Sequence, residues 1–324
     1  MTRVLNKCFI TGLSGSGGSL LAEHILSKNK NIQIFGTYKS KKFYPYLKKK
    51  YGKRIHFFKL NLKNFQKLKN IIKKINPDVI FNFASDADVR KSFNQPIQVI
   101  TNNNSISINL LEVLRQIKFN NLVIHCSTSE VYGNVPKKLQ PISEKTKINP
   151  VNPYAVSKTF QDLLSQIYYQ NYGLKLIITR MFSYMNARRD NLFQTAFAKQ
   201  VLQIEKKKKK ILYHGNLKSK RTIISTWDAM EAYWLTAKKG KVGEIYNICG
   251  NETLTVGEFL NKLIKKSKVK ILTKIDKKLI RPVDINLQIA NCKKFKKHTG
   301  WKPKVTINKS IENLMQDLRS FNAK

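Results

Sequence analysis

Acidic residues are scarce in this chain of 324 residues, where 19 aspartates and glutamates stand against 61 lysines and arginines. The resulting formal net charge of +42 suggests nucleic-acid binding, because a basic surface releases counterions from phosphates. The lysines are nevertheless scattered along the whole chain, and the run at 206–210 is typical of a solvated helix end or loop. We therefore expect no nucleic-acid partner, although the same positive field would attract an anionic small molecule.

Long apolar runs are also missing. A membrane-spanning helix needs roughly 20 consecutive apolar residues, and no segment of the chain approaches that length. The N-terminus enters an apolar segment directly, without the cleavage region of a signal peptide. We therefore expect a cytoplasmic protein without a membrane partner, whose length allows one large domain or two closely joined ones.

Cysteine is rare and widely spaced. The four cysteines stand at positions 8, 126, 249 and 292, and no two of them form a Cys-x-x-Cys pair. This spacing indicates neither a metal site nor a disulfide framework. Three of them sit in or beside apolar, strand-like segments, so we expect small core residues there.

Glycine is infrequent too, but three glycines near the N-terminus are regularly spaced. Gly12, Gly15 and Gly18 follow an apolar segment, 4–10, that we predict to be a strand, and they precede a helix predicted at 19–27. This arrangement allows a tight turn, close approach of the backbone to a pyrophosphate, and close packing of helix on strand. Because the helix N-terminus would face the phosphates, we predict a dinucleotide site. An ordinary glycine-rich turn is the alternative.

Short apolar segments alternate with helical segments through the first half of the chain. After the first strand, further strands are predicted at 32–37, 55–60, 78–83, 122–126 and 176–179, and helices at 65–75, 106–117 and 153–172. This alternation predicts an α/β fold with a doubly wound parallel sheet.

The residues after the second predicted strand bear on the choice of dinucleotide. Folds that prefer NAD commonly carry an acidic residue there for the ribose hydroxyls. This chain has Tyr-Lys-Ser-Lys-Lys at 38–42, and Lys39 is the candidate for a 2′-phosphate. NADP is therefore the expected cofactor, with NAD as the alternative because lysine is abundant throughout the chain.

The middle of the chain carries the candidate catalytic residues. Tyr154 and Lys158 are four residues apart, so they lie one turn apart on the same helix face. A nearby ammonium favours phenolate and lowers a tyrosine pKa from its usual value of about 10. Thr128 offers a hydroxyl to the same reacting oxygen. Glu130, two residues further along an extended strand end, is expected on the same side as a second acid or base.

Three motifs in this order resemble the extended short-chain dehydrogenase/reductases: the glycine turn, Ser-Thr-Ser-Glu-Val-Tyr-Gly at 127–133 and Tyr-x-x-x-Lys at 154–158. Within them the chain is similar to the nucleotide-sugar epimerase/dehydratase family, above all to the GDP-mannose 4,6-dehydratases, with GDP-4-keto-6-deoxy-mannose reductases second. Gly-Asn-Leu-Lys-Ser-Lys-Arg at 215–221 and Arg-Pro-Val-Asp at 281–284 add to the resemblance. It implies a Rossmann-type sheet with a smaller C-terminal substrate domain.

The resemblance implies four catalytic roles. Tyr154 would take the proton of the sugar 4-hydroxyl while a hydride passes from C4 to NADP⁺, and Thr128 would hydrogen-bond that oxygen. Lys158 would lower the tyrosine pKa and hold the nicotinamide ribose. Glu130 would remove the C5 proton, which a C4 ketone makes acidic, and help expel the C6 hydroxyl as water.

The resemblance also implies binding residues. Arg221 would grip the substrate diphosphate with its guanidinium fork, Arg281 would join the same anion site, and Asp284 would bind the nucleoside ribose. Arg189 is a further substrate candidate, although Arg188 and Arg189 also suit a subunit contact. The cofactor contacts implied in addition to the three glycines are Ser16, Lys39, Asn61, Ala84 and Lys158.

Several positions depart from the family pattern. Asn61 stands where an aspartate usually lies near the adenine, and Thr222 replaces an aspartate after Arg221. Ser-Tyr at 183–184 replaces Asn-His, which changes the substrate side. The nucleotide base and the choice between dehydratase, reductase and epimerase therefore stay open. A non-catalytic protein that binds NADP or nucleic acid is a distant alternative.

The same family analogy divides the chain and predicts its assembly. Residues 1–180 would form the NADP-binding domain, with return segments near 215–250, and residues 181–324 would mainly bind the nucleotide sugar. Helices near Leu110 and Phe160 would form a four-helix contact in a homo-oligomer, either a dimer or a tetramer.

Overall fold

Residues 2–321 are described by a computed structural model, which is organised around a seven-stranded parallel sheet. The strands are β1 (Lys7–Thr11), β2 (Gln33–Tyr38), β3 (Ile55–Lys59), β4 (Val79–Asn82), β5 (Leu122–Thr128), β6 (Leu176–Met181), β7 (Ser183–Tyr184), β8 (Ile211–His214), β9 (Lys220–Ile224), β10 (Ile245–Ile248), β11 (Glu252–Thr255), β12 (Leu272–Ile275) and β13 (Leu287–Gln288). The α-helices are α1 (Ser16–Lys28), α2 (Tyr44–Tyr51), α3 (Phe65–Ile75), α4 (Val89–Asn94), α5 (Pro96–Gln116), α6 (Pro153–Tyr172), α7 (Phe193–Glu205), α8 (Thr226–Lys239), α9 (Val256–Ile264), α10 (Lys293–Thr299) and α11 (Ile307–Phe321).

The large sheet has the strand order β10-β6-β5-β4-β1-β2-β3, and all neighbouring strands are parallel. The order reverses between β1 and β4, which leaves a crevice at the carboxyl ends of these strands. Strand β4 reads Val-Ile-Phe-Asn and is buried along its whole length, as expected when helices cover both faces of a parallel sheet. The predicted doubly wound α/β fold is confirmed.

Alternate residues of β1 reach two different cores. Cys8 and Ile10 belong to a core that includes residues of α1 and α8, whereas Phe9 belongs to a core formed with α3 and α5. Both faces of the sheet are therefore sealed from water. The edge of the sheet at which the strands have their carboxyl ends carries the candidate site residues.

The second half of the chain builds a smaller core of its own. Phe197 on α7, Phe259 on α9 and Leu314 on α11 pack together beside a sheet of order β11-β9-β13, with β7 paired to β9. Strands β8 and β12 form a separate parallel pair. The chain returns to the large sheet with α8, which packs on α1, and with β10, which pairs with β6.

Helix boundaries follow the capping residues. Helices α3 and α6 begin and end where the sequence predicts, and the side chains of Asn64 and Asn152 cap their N-termini. Helix α5 begins at Pro96 rather than at the predicted residue 106, because a proline suits the first turn of a helix. Helix α1 begins at Ser16 rather than at residue 19, so Gly18 lies within its first turn.

Four bulk properties can be checked on residues 2–321. Within this range no helix has the length and apolar character that crossing a membrane requires. Among the same residues, no three His, Cys, Asp or Glu side chains are grouped so as to hold a metal ion. All four cysteines are free and buried. The lysine run at 206–210 follows α7 and is exposed, as expected.

Candidate active site

A cavity of about 420 Å³ opens at the carboxyl ends of β5 and β6 and extends into the second half of the chain. Its volume lies within the range of small-molecule pockets, roughly 300–1,000 Å³. The eight residues predicted to be catalytic or to bind the substrate all line it. They are Thr128, Glu130, Tyr154, Lys158, Arg189, Arg221, Arg281 and Asp284.

A short turn, rather than a strand, presents Glu130. Strand β5 ends at Thr128, and Glu130 lies in the 3₁₀ helix Ser129–Tyr132. The hydroxyl oxygen of Thr128 accepts the backbone N–H of Glu130 at 3.3 Å and caps this turn. The expectation that Glu130 continues the strand is therefore wrong. Both side chains reach the cavity because the chain turns at the strand end.

Asn152 links the Glu130 turn to the helix that carries Tyr154. Its Nδ2 donates to Glu130 Oε2 at 2.9 Å, and its Oδ1 accepts the backbone N–H of Ala155 at 2.8 Å as the cap of α6. Asn152 is not among the residues predicted for the site. Its position before a proline that opens a helix is an N-cap signal that could have identified it.

Tyr154 is almost fully enclosed, with 7% of its surface exposed. Burial raises the pKa of its phenol to about 12, against the lowering effects of the Arg189 charge and the Thr128 hydroxyl. The group that lowers this pKa most is therefore Arg189, whereas Lys158 was expected in that role. The phenol holds its proton at neutral pH in the protein without ligands.

Lys158 is buried one turn further along α6, with 3% of its surface exposed. Burial lowers the pKa of its ammonium to about 8, although Cys126 and Asp162 act in the opposite direction. Its Nζ donates to the side-chain oxygen of Gln161 at 2.7 Å. Gln161 was not identified from the sequence, because nothing in the local pattern distinguishes it from the other polar residues of this helix.

Two arginines share one carboxylate at the far end of the cavity. Asp284 Oδ1 lies 3.5 Å from Arg221 Nη2 and 3.9 Å from Arg281 Nη1. Its other oxygen accepts hydrogen bonds from Asn216 Nδ2 and Ser219 Oγ, both at 2.9 Å. Burial lowers the pKa of the Arg221 guanidinium, which is 9% exposed. This arrangement offers a held, partly desolvated cation to an anionic ligand.

The adjacent arginines of the predicted Arg-Arg pair have different surroundings. Arg189 donates to the carbonyl oxygen of Ala87 and, at 2.9 Å, to Asn191 Oδ1, and it lines the cavity. Arg188 is buried and pairs with Glu23 on α1. Arg189 therefore lies at the cavity, whereas Arg188 joins the second half of the chain to the first.

The glycine turn leaves no room for side chains. Gly12 has φ +68°, and a Cβ there would lie 3.2 Å from the Cα of Ala84. A Cβ on Gly18 would lie 2.6 Å from the carbonyl oxygen of Gly12. Gly15 occupies the N-cap position of α1 and has no side chain to cap the N–H groups that follow it from Ser16 onward. This bare helix N-terminus at the end of β1 fits a dinucleotide pyrophosphate.

The two remaining cofactor candidates follow neighbouring strands of the same sheet. Lys39 comes directly after β2 and is exposed. Asn61 follows β3, is exposed, and accepts the backbone N–H of Lys63 at 3.1 Å. Because β1, β2 and β3 are parallel neighbours, their carboxyl ends lie at one edge, next to the glycine turn.

Comparisons with known proteins agree with this arrangement. The family model described as GDP-mannose 4,6 dehydratase matches residues 9–314. The GDP-mannose 4,6 dehydratase of Dictyostelium discoideum is 28% identical over 347 residues, which covers 97% of this chain and 96% of the relative. The GDP-6-deoxy-D-mannose reductase of Pseudomonas aeruginosa is 26% identical over 251 residues, which covers 75% of this chain and 81% of the relative.

A solved structure, that of RMD from Pseudomonas aeruginosa complexed with NADPH, has the same fold with a TM-score of 0.85. The two chains are 22% identical, and the match covers 98% of this chain and 99% of the other. Since the family model spans nearly the whole sequence, the chain belongs to the GDP-mannose 4,6 dehydratase family of nucleotide-sugar dehydratase/epimerase enzymes.

Proposed function

We propose that this chain is an NADP-dependent nucleotide-sugar 4,6-dehydratase, a lyase that converts GDP-mannose to GDP-4-keto-6-deoxy-mannose. The observation that carries the proposal is the meeting of Thr128, Glu130, Tyr154 and Lys158 in one cavity. A hydroxyl, a carboxylate, a phenol and an ammonium together supply the proton transfers of a dehydration. Membership of the GDP-mannose 4,6 dehydratase family supports the choice of substrate.

The first proton transfer is assigned to Tyr154. Tyr154 acts in its phenolate form, whose oxygen takes the proton of the sugar 4-hydroxyl, and the Thr128 hydroxyl hydrogen-bonds the same sugar oxygen. Arg189 supplies positive charge that favours the phenolate. The chemistry that NADP supplies when bound is reversible hydride acceptance, from C4 in the first step and back to C6 in the last.

The loss of water is assigned to Glu130. Once C4 is a ketone, the carboxylate takes the acidic proton from C5, and the C6 hydroxyl leaves as water with a proton from the same carboxyl group. Asn152 holds Oε2 of Glu130 and so orients the carboxylate towards the sugar. When the hydride returns to C6, the proton that Tyr154 took from the 4-hydroxyl is delivered to C5, so the overall reaction releases one water and consumes no reducing equivalent.

The cofactor half of the proposal rests on the glycine turn and the strand ends beside it. Gly12, Gly15, Ser16 and Gly18 would hold the pyrophosphate, with Ala84 packed against the turn. The exposed ammonium of Lys39 and the lysines after it suit the 2′-phosphate of NADP, and Asn61 would lie near the adenine. RMD from Pseudomonas aeruginosa, which has the same fold, is complexed with NADPH, whereas other structures with this fold are complexed with NAD, so the choice of NADP rests on Lys39 and the lysines after it.

The substrate half rests on the charge at the far end of the cavity. Arg221 and Arg281 would bind the diphosphate, since a guanidinium fork matches phosphate oxygens. Asp284 would accept a ribose hydroxyl, and Arg189 would contact the substrate near Tyr154. We accordingly assign residues 1–180 and the return segments near 215–250 to the cofactor and 181–324 mainly to the substrate.

A homo-oligomer, a dimer or a tetramer, is part of the proposal. Five aliphatic side chains on α5 and α6 are exposed although these helices are otherwise packed against the sheet. They are Ile97, Ile108, Val156, Leu163 and Ile167. Pairing α5 and α6 with the same helices of a second copy would cover them.

A cytoplasmic location is also part of the proposal. Free thiols and a nucleotide-sugar substrate suit the reducing cytoplasm.

The second candidate is a GDP-4-keto-6-deoxy-mannose reductase, favoured by the 26% identity to the Pseudomonas aeruginosa reductase. Incubation with GDP-mannose and a catalytic amount of NADP⁺ separates the two, because a dehydratase forms the 4-keto product without NADPH. Reaction only with a 4-keto sugar and NADPH would favour the reductase. Salt-sensitive DNA binding without sugar turnover would refute both.

Two variants test the assigned roles. Tyr154→Phe should lower turnover by at least about 100-fold, since general acid–base catalysis contributes roughly 10²–10⁴. Glu130→Gln should still reduce NADP⁺ in a single turnover, visible by absorbance, but should release no dehydrated sugar. Tyr172→Phe, which removes a hydroxyl from the exposed end of the same helix, is the matched control and should keep full activity. Dehydration by Glu130→Gln at the normal rate would contradict the assignment.

A further inference from the structure

Gln161 forms a bridge between Lys158 and helix α5. Its side chain is 1% exposed, and it accepts a hydrogen bond from Lys158 Nζ at 2.7 Å while its Nε2 donates to the backbone carbonyl of Asn103 at 2.7 Å. An ammonium can only donate and a carbonyl can only accept. These two partners therefore leave the amide one orientation, with its oxygen towards the lysine.

Helix α5 holds the other end of this bridge firmly. Asn103 is fully buried, and its side chain donates to Ser157 Oγ and to the carbonyl of Asp86, both at 3.0 Å. Its Oδ1 also accepts the backbone N–H of Asp86 at 2.7 Å. Gln161 thus ties Lys158, through Asn103, to the segment that follows β4.

The charged and titratable groups around Lys158 come from two elements. His125 and Cys126 face it from β5, and Asp162 and Tyr154 share its helix. Asp162 already pairs with the Arg180 guanidinium of β6 at 2.7 Å. Helix α5 contributes the neutral Asn103. The direct hydrogen-bond partner of the ammonium is the neutral amide of Gln161 rather than a carboxylate.

We propose that Gln161 is a positioning residue that holds Lys158 charged at neutral pH and sets the alkaline limit of the reaction. A neutral acceptor stabilises the ammonium less than a carboxylate would and more than an apolar side chain would. The lysine is therefore charged at neutral pH, where it would act beside Tyr154 and the nicotinamide ribose. It loses its proton in the mildly alkaline range. The effect of Gln161 on the reaction rests on the proposed function, whereas its effect on the protonation of Lys158 does not.

The direction of the effect follows from the balance at this amine. Burial lowers the pKa of Lys158 to about 8, whereas the hydrogen bond that Gln161 accepts from the ammonium favours the charged form. Gln161→Met keeps the length of the side chain but removes the acceptor, so the pKa should fall. Gln161→Glu places a carboxylate at the same position, so the pKa should rise.

The test is a pH titration of Lys158 in the full chain without ligands. The protein is labelled with ¹³C at lysine Cε and followed by NMR, and the Lys158 signal is assigned by its loss in Lys158→Arg. We expect the titration midpoint to move by at least about one pH unit down in Gln161→Met and up in Gln161→Glu. Gln166→Leu, which removes an amide elsewhere on α6 that donates to a backbone carbonyl at 3.3 Å, is the control and should not move it.

Midpoints of both Gln161 variants that match the original chain would overturn the proposal. If Gln161→Met does not fold, Gln161→Glu decides alone, because an unchanged or lower midpoint contradicts the expected ion pair. The pH profile of dehydration gives a second readout, in which the alkaline limb should shift in the same direction as the NMR midpoint. Absence of sugar turnover in the original chain would refute the proposed function but leave the NMR result decisive for Gln161.

Discussion

Replacing Gly18 with alanine would push a methyl group into the turn that precedes helix α1. The added Cβ would lie 2.6 Å from the carbonyl oxygen of Gly12 and 3.1 Å from the Cα of Leu13. Both neighbours are backbone atoms, so the turn itself has to move. Overpacking of this kind costs about 1–3 kcal/mol, whereas alanine gains about 1 kcal/mol over glycine in a helix. The net effect is an expected loss of up to about 2 kcal/mol in the free energy of unfolding.

Gly257 provides the matched control. It also lies in the first turn of a helix, α9, but a Cβ there would meet its nearest atoms, on Leu217, at 3.4 Å, which is ordinary contact. Gly257→Ala should therefore be neutral or stabilise the protein by up to about 1 kcal/mol. Urea unfolding with linear extrapolation measures both differences.

Dinucleotide binding gives the second measurement on the same pair. A turn displaced by Gly18→Ala should bind NADP⁺ at least about tenfold more weakly in calorimetry, which corresponds to about 1.4 kcal/mol. Gly257→Ala should bind it as the original chain does. If Gly18→Ala matched the control in both stability and NADP⁺ affinity, the close packing of this turn would not be what makes the cofactor site.

Removing the charge of Glu231 tests the contact between α1 and α8. Its hydrogen bond with His24 at 2.6 Å holds the pKa of this carboxyl at about 2, so Glu231→Gln should cost about 1 kcal/mol at pH 7, a small value because the pair is partly exposed. A lowered carboxyl pKa stabilises the fold above about pH 4 and loses its effect towards pH 2, so urea unfolding should show the difference vanishing in that range. Asn152→Ala and Asn64→Ala should each lose about 1 kcal/mol of helix capping in the same assay, but only Asn152→Ala should also lower turnover, because it frees Glu130; equal activity of the two would contradict that. All four buried cysteines should react with a thiol reagent only after denaturation without reductant, and fewer than four would reveal a disulfide.

The elements that sequence patterns predicted best are those with strong local signals. Helix α6 begins at a proline preceded by a capping asparagine and ends at Gly173, whose φ of +68° suits glycine. Helix α3 likewise lies between Asn64, which caps it, and Asn76 in the left-handed region. Each signal lies within a few residues of the boundary that it sets.

The predictions that failed depended on what surrounds a segment. Glu130 was expected at the extended end of a strand, but the Thr128 hydroxyl caps a 3₁₀ turn at that point. The predicted lowering of the Tyr154 pKa depended only on Lys158, one turn away on the same helix. Burial and Arg189, which lies 35 positions further along the chain, dominate instead.

The sequence alone determined the parallel sheet, the glycine turn and the helix that aligns Tyr154 with Lys158. These features depend on residues a few positions apart, and backbone geometry converts such spacings directly into structure. Only the tertiary structure decided that Arg221 and Asp284 meet, and that Gln161 reaches Asn103. Those contacts join distant positions, and they form because the cores bury apolar faces of different elements and thereby bring the polar side chains of those elements together.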